Sequence, residues 1–200
     1  MSGSHPLAGV QEFWDDVMDD MAATAEEYRE AGWETLELHP GDVTALPTTS
    51  AAASEVDVDR LGLDVLVPGD EFETLQATVA ETDFDEYDAY RASQGDVVFL
   101  VVAMKSADAG VAVLFPLYYA VSEAKVMLSR VGERGEMRTY FRPLDDSERV
   151  VFSQSDPENL LPADFDPAAV DEAAVLEEAS GLSEEVATQV DPSLRPDDES

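Results

Sequence analysis

The sequence predicts an α+β protein in which a mostly antiparallel sheet carries helices packed on one face and an acidic tail follows. Three observations predict this class. An amphipathic pattern opens the chain, residues 87–155 hold consecutive strand patterns, and the composition turns acidic after residue 156. Helices grouped apart from antiparallel strands pack on one side of a sheet. We therefore expect one domain over residues 1–162 and a weakly helical or disordered tail over residues 163–200.

The first element is a helix over residues 8–31. Its apolar residues recur at spacings of three and four, and acidic residues take the opposite side. This periodicity predicts that the apolar stripe packs on the core, although its aromatic residues could also form a ligand groove or meet a partner helix. The stripe consists of Phe13, Trp14, Val17, Met18, Met21, Ala25 and Tyr28.

A strand over residues 33–38 follows the first helix, and an exposed connection rich in Pro, Thr, Ser and Ala extends over residues 46–60. Residues 63–68 predict a second short strand. Asp70 then begins a helix, because an aspartate with Glu73 three residues later forms a capping box.

The strand patterns after residue 87 include an apolar, β-branched run over residues 96–106, typical of a strand buried on both faces. Residues 111–119 predict its antiparallel partner, with Pro116 at a bulge or at the end of the strand. A helix over residues 120–131 follows, with Gly132 as its cap.

A hairpin completes the predicted domain, with strands over residues 136–144 and 149–155. Side chains alternate between the two faces of a strand. Met137, Thr139 and Phe141 should therefore face inward, and four other residues should share the outward face. We call these four the arginine face: Arg138, Tyr140, Arg142 and Arg149.

The charge of the chain is extreme, with 45 acidic and 11 basic residues and a formal net charge of -34. Self-repulsion of this size is tolerated when molar salt shortens the Debye length to about 3 Å. The composition therefore predicts a halophilic protein. It also argues against a nucleic-acid partner, because a phosphate backbone is bound by positive surfaces.

The basic residues are concentrated in the strand region. Residues 87–154 hold eight basic and nine acidic residues, so this part is nearly neutral. Arginine binds carboxylates and phosphates through two parallel hydrogen bonds. The arginine face therefore predicts either an anion-binding site or a set of ion pairs with the protein's own acids.

Other chemistry has little support in the sequence. The chain has no cysteine, which excludes disulfides and thiolate metal sites. Its two histidines, His5 and His39, do not form a metal-ligand motif, and no nucleotide-binding or nucleophile motif is present. We predict no metal, no cofactor and no identified catalytic residue.

The compartment follows from the absence of targeting signals. The opening residues lack a basic segment and an apolar segment, so they do not predict a signal peptide. The longest apolar run, residues 97–104, is too short for a membrane span, which needs about 20 residues. The sequence predicts a cytoplasmic protein without a membrane partner.

Two stretches carry a resemblance: the acidic opening helix with its following strand, over residues 13–43, and the block over residues 111–128. With them, residues 8–155 resemble the small uncharacterised families, domains of unknown function, found in haloarchaeal genomes. The resemblance implies an archaeal, halophilic, single-domain protein and implies no activity.

Two hypotheses remain open. The preferred one is a non-enzymatic protein-interaction or self-associating module, based on the missing catalytic motifs, the nearly neutral strand region and the aromatic first helix. The alternative is a small module, possibly an enzyme, that binds an anionic ligand at the arginine face.

Overall fold

The computed structural model describes residues 6–47, 60–175 and 177, and it confirms the α+β class. The described strands form two four-stranded sheets rather than one. Four of the six strand pairings are antiparallel, and the pairs β1–β6 and β3–β7 are parallel. The elements are α1 (Pro6–Glu30), β1 (Glu34–Glu37), β2 (Asp42–Leu46), β3 (Gly62–Leu66), α2 (Gly69–Glu81), β4 (Glu86–Gln94), β5 (Val97–Ser106), β6 (Val111–Ala120), α3 (Val121–Arg134), β7 (Glu136–Arg142) and β8 (Val150–Ser155).

The first sheet has the strand order β1-β6-β5-β4, and α1 packs on its outer face. The predicted apolar stripe makes this contact: Val17, Met21 and Ala25 are buried against β5 and β6. The ring centroids of Phe13 and Phe99 lie 4.6 Å apart. The prediction that the α1 stripe is core packing is confirmed for these residues.

The second sheet has the order β2-β3-β7-β8 and packs against the inner face of the first. The rings of Phe115 on β6 and Phe141 on β7 meet edge to face, with centroids 4.8 Å apart. Residues of α2 and α3 join the same core, among them Leu75, Met127 and Val131, each fully buried. Strand β5, which includes all of the predicted run 96–106 except Asp96, is a central strand covered on both faces, as the sequence predicts.

Strand β2 is an element that the sequence analysis misses. Residues 42–46 pair antiparallel with β3, and Leu46 precedes a cis proline, Pro47. Residues 48–59 of the predicted connection lie outside the described residues. The strand went unrecognised because it is short and begins with an aspartate next to a turn, which favours a loop.

Three local predictions were wrong. Helix α2 begins at Gly69 after Pro68 and has no side-chain cap, so Asp70 lies in its first turn. Helix α3 continues to Arg134 and ends at Gly135, which has a left-handed φ of 68°, rather than at Gly132. Pro116 lies inside β6 without ending it. A proline has no backbone N–H to donate to a neighbouring strand. Pro116 is tolerated because β1 pairs only with residues 111–114 of β6, so β1 does not extend far enough to need an N–H from Pro116.

Part of the predicted tail is docked on the domain. Phe165 packs on the core between the sheets, and Arg130 on α3 pairs with Glu172 at 3.2 Å. Residue 176 and residues 178–200 lie outside the described residues, and the domain boundary at residue 162 stays a prediction. Among the described helices, none is both long and apolar enough to cross a membrane.

Candidate functional site

The arginine face lies on the outer side of the second sheet. Met137, Thr139 and Phe141 are fully buried between the sheets, as their alternation along β7 predicts. The side chains of Arg138 and Arg142 therefore leave the opposite side of β7. Arg149 directly precedes β8, the antiparallel neighbour of β7. The sequence thus predicted the side of β7 on which Arg138 and Arg142 lie, whereas Arg149 lies just outside β8.

Asp64 on β3 is the centre of this face. Its carboxylate accepts a hydrogen bond from Arg142 Nε at 2.6 Å and lies 3.4 Å from Arg60 Nη1 and 4.0 Å from Arg149 Nε. The Asp64 side chain is only 11% exposed. Three guanidinium groups thus share one nearly buried carboxylate, and the hydrogen bond to Asp64 is the main reason that the pKa of Arg142 lies above its ordinary value.

The other predicted residues have different partners. Arg138 Nε donates to Glu136 at 2.8 Å, and this pair is well exposed. Tyr140 is buried, and its hydroxyl accepts a hydrogen bond from the backbone N–H of Leu61 at 3.1 Å. Arg149 also pairs with Asp146 at 2.5 Å. The structure therefore brings Arg142 and Arg149 to one carboxylate, whereas Arg138 has a partner of its own.

Sequence reasoning did not identify Asp64 or Arg60. Asp64 is one of 45 acidic residues, and surface acids carry little information in such a chain. Its position depends on the parallel pairing of β3 with β7, which sets Asp64 opposite Tyr140. The sequence offers one indication of the cluster, which is the position of Arg60 four residues before Asp64. This spacing can be interpreted only when β3 is known to lie beside β7.

A second candidate site is the free edge of the first sheet, formed by β4. Among the described strands, β4 is the longest edge strand, with nine residues that pair only with β5. Residues 90–94 are exposed, and residues 89–95 contain no acidic residue. We call residues 86–94 the β4 edge. Edge strands are usually protected by charges, prolines or short length, as in β1, which has four residues and two glutamates.

Side chains on the inner side hold β4 firmly against the rest of the protein. The Tyr87 hydroxyl donates to the carbonyls of Ser155 and Asp156, at 3.1 and 3.0 Å. Arg91 Nη1 donates to the carbonyls of Glu158, at 3.1 Å, and Leu161. The one charge within residues 89–95 is thus turned toward backbone carbonyls, and the edge is preformed.

Tyr90 lies on the outer side of the same strand. It pairs with Val101, which packs against α1, so its ring is on the α1 side of the sheet. The ring is 54% exposed. A cavity of about 310 Å³ opens beside it, between α1 and the strands β4 and β5. Its walls include Thr24 and Glu27 of α1, and Ala92 and Phe99 form part of its floor.

His39, the one histidine among the described residues, contacts a carboxylate of α2. His39 Nδ1 lies 2.7 Å from Glu71, whose carboxylate also accepts the His39 backbone N–H at 2.7 Å. This pair joins the end of β1 to α2. The described residues contain no group of three or more His, Asp or Glu side chains arranged to hold a metal ion. His5 lies outside the described residues.

The fold defines an α+β protein with two stacked four-stranded sheets and one long covering helix. Residues 4–162 match the model of a family of unknown function, DUF7529, and the chain belongs to this family. No curated protein and no solved structure matches the chain. The resemblance to a domain of unknown function is thereby confirmed, and the haloarchaeal origin stays a prediction.

Proposed function

We propose that this protein is a non-enzymatic interaction module that binds another polypeptide by adding a strand to the β4 edge. The observation that carries the proposal is an exposed edge strand of nine residues whose residues 89–94 lack an acid, in a chain with a net charge of -34. Unpaired backbone groups on such an edge bind an extended strand, and the side-chain pockets beside it give specificity.

The rigid hold on β4 supports this function. Binding is stronger when the binding segment is already ordered before the partner arrives. The Tyr87 and Arg91 hydrogen bonds keep the β4 edge in its strand conformation. The exposed Tyr90 ring adds an aromatic contact, of the type enriched among residues that dominate binding energy.

Site-specific photo-crosslinking tests the proposal. A photoreactive phenylalanine analogue would replace Tyr90 in the full chain, and the protein would be irradiated in molar KCl with extract of its natural host. The matched control carries the analogue at Val151, which is 46% exposed on the edge strand β8. We expect a discrete polypeptide adduct at position 90 and none at position 151. No adduct at position 90, or equal adducts at both, would contradict the proposal.

The arginine face supports a second candidate function, the binding of a small anion. Arg138, Arg142 and Arg149 concentrate guanidinium groups on the outer side of the second sheet of an acidic protein, and such groups bind carboxylates and phosphates through two parallel hydrogen bonds. A ligand that binds the folded protein and not the unfolded chain raises the melting temperature by mass action. We expect a nucleotide, sugar phosphate or organic acid to raise it, and the Arg138→Ala/Arg142→Ala variant to lose the shift. No shift with any of these compounds would remove this candidate.

We further propose that the protein functions in a salt-rich cytoplasm. The net charge of -34 supports this setting, because molar salt screens the repulsion among surface acids. The melting temperature should rise as KCl increases from dilute buffer to molar concentration. A melting temperature that is independent of KCl would contradict the halophilic assignment.

A further inference from the structure

We infer that the polypeptide bound at the β4 edge is a second copy of this chain, with the two β4 strands paired antiparallel about a two-fold axis at Tyr90. This inference rests on the proposed function and names its partner. The β1-β6-β5-β4 sheet of one copy and the same sheet of the other copy would then form one continuous sheet of eight strands. The axis is perpendicular to the sheet, so both α1 helices lie on the same side.

The symmetry of β4 itself favours this register. Strand β4 includes residues 86–94, and Tyr90 is its central residue. An axis at Tyr90 therefore pairs every residue of the strand with a residue of the second copy. Any other axis leaves one end of the strand unpaired and forms fewer backbone hydrogen bonds.

The charges along the strand fit the same register. Glu86 of one copy lies opposite Gln94 of the other, and Asp88 lies opposite Ala92. Arg91 lies opposite Ala89, with its guanidinium group already bound to backbone carbonyls. No acid lies directly opposite an acid in this strand pairing. An axis at Asp88 would instead oppose two aspartates, and an axis at Arg91 would oppose two arginines, both of which are destabilising.

The partner must also tolerate the charge of this chain. Two copies with a net charge of -34 each repel one another, so the strand pairing is least costly where its centre contains no acid. Residues 89–95 meet this requirement. The second copy brings the same acid-free segment, whereas a positively charged partner would gain nothing from it.

The groove beside Tyr90 is completed by the second copy. Each copy has a cavity of about 310 Å³ between α1 and β4. In the dimer the two cavities join, and the two Tyr90 rings lie side by side between the two α1 helices. The pairing thereby covers Tyr90, since the other large apolar side chains that are exposed among the described residues, Leu144 and Val151, lie outside the first sheet.

Salt should strengthen this dimer. Asp20 and Glu27 of α1 line the groove, so acids of the two helices face one another across the joined space. This repulsion is screened when the Debye length falls to about 3 Å at 1 M salt. The dimer should therefore be more stable in molar KCl than in dilute buffer.

Cysteine crosslinking tests the register directly, because the chain has no cysteine of its own. In the proposed dimer two residues at position 90 lie opposite each other, with Cα atoms about 4.5–5.5 Å apart. This separation is within the range that a disulfide spans. We expect Tyr90→Cys to form a disulfide-linked dimer under mild oxidation, and the matched Val151→Cys variant to stay monomeric on a non-reducing gel.

Analytical ultracentrifugation tests the dimer without a crosslink. In molar KCl the unmodified chain should sediment as a dimer, and Tyr90→Asp should raise the dimer Kd at least tenfold. Val151→Asp should leave the Kd unchanged, and circular dichroism would show that both variants fold. A monomeric parent chain, a dimer insensitive to Tyr90→Asp, or equal crosslinking at positions 90 and 151 would overturn the inference.

The two proposals fail in different ways. If the chain is monomeric but position 90 crosslinks to a different polypeptide in extract, the self-pairing is wrong and the interaction function stands. If position 90 crosslinks to nothing and the chain is monomeric, both are wrong.

Discussion

Arg142 Nε donates a hydrogen bond to Asp64 Oδ2 at 2.6 Å, across the parallel pair formed by β7 and β3. The carboxylate is nearly buried, and Arg60 and Arg149 approach its other oxygen. Asp64 thus lies within reach of three cations on the outer side of the second sheet, one of which, Arg149, also pairs with Asp146. The contact also joins two strands that are far apart in the sequence, so its loss should affect the fold as well as any ligand.

The first prediction concerns this carboxylate. Asp64→Asn should lower the free energy of unfolding by about 2 kcal/mol, because the partly buried guanidinium groups would lose their shared negative charge and one of its two acceptor oxygens. Asp146→Asn is the control, since Asp146 is exposed and an exposed ion pair contributes about 0–1 kcal/mol. Chemical denaturation measures both variants. Equal, small effects would show that Asp64 does not hold the arginines together.

The second prediction concerns the close approach of β3 and β7 at Gly62. This residue has a φ of +139°, and a Cβ atom there would lie 1.8 Å from the carbonyl oxygen of Arg138. Gly62→Ala should therefore destabilise the protein by about 3 kcal/mol or more, through steric overlap and backbone strain. Thermal and chemical unfolding measure the loss.

Gly32→Ala is the matched control for Gly62. Gly32 also has a positive φ, +90°, but no atom lies within 4 Å of the added Cβ. Only the backbone strain remains, which costs about 1 kcal/mol. A loss at Gly62 no larger than the loss at Gly32 would contradict the close approach of the two strands.

The third prediction concerns pH and the cluster of Asp88, Lys105 and Tyr28. Burial favours the neutral acid, but hydrogen bonds from Lys105, at 2.9 Å, and Tyr28, at 2.7 Å, outweigh it and lower the pKa of Asp88 below 3.8. The unfolded chain therefore binds a proton at Asp88 more readily than the folded chain. The stabilisation is complete above the unfolded pKa and disappears as the pH falls through the folded pKa.

Unfolding of Asp88→Asn as a function of pH measures this effect. The variant should be less stable than the parent at neutral pH, and the difference should shrink as the pH falls below 3.8. Glu86→Gln is the control, because Glu86 is well exposed and lies 3.9 Å from Lys105. A stability difference for Asp88→Asn that stays constant through this range would contradict the shifted pKa.

The fourth prediction concerns the segment docked on α3. A Cβ atom at Gly132 would lie 2.3 Å from Pro167 Cγ, so Gly132→Ala should push the Pro167 segment off the helix. Hydrogen exchange should then become faster at Ala169, whose N–H bonds to Asp166. Gly69→Ala is the control, since nothing lies near its added Cβ. Unchanged exchange at Ala169 in Gly132→Ala would show that the segment does not depend on this contact.

The sequence predicted the features that depend on local periodicity. The apolar stripe of α1 and the inward residues of β7 were identified because a helix repeats every 3.6 residues and a strand every two. Both repeats can be recognised within one segment, without knowing which other segment of the chain packs against it. The same reasoning identified the arginine face, although it gave no information on what those arginines contact.

The features that depend on distant pairing were not predictable in this way. Nothing within β3 indicates that it lies parallel to β7, so Asp64 stayed indistinguishable from other acids. The division into two sheets has the same cause, since β1 and β2 are neighbours in the chain but belong to different sheets. The β4 edge was also missed, because an alternating strand does not show which of its sides is unpaired.

The parallel pairing of β1 with β6 sets an order of events during synthesis. The ribosome releases α1 and β1 well before β6, by a delay on the order of 10 s at ordinary translation rates. During that time the apolar stripe of α1 has no sheet to cover, whereas β4, β5 and β6 can pair with one another as they emerge. The earliest part of the chain is thus the last to reach its final position in the first sheet. Its dense acidic side would then keep the waiting helix dispersed in water.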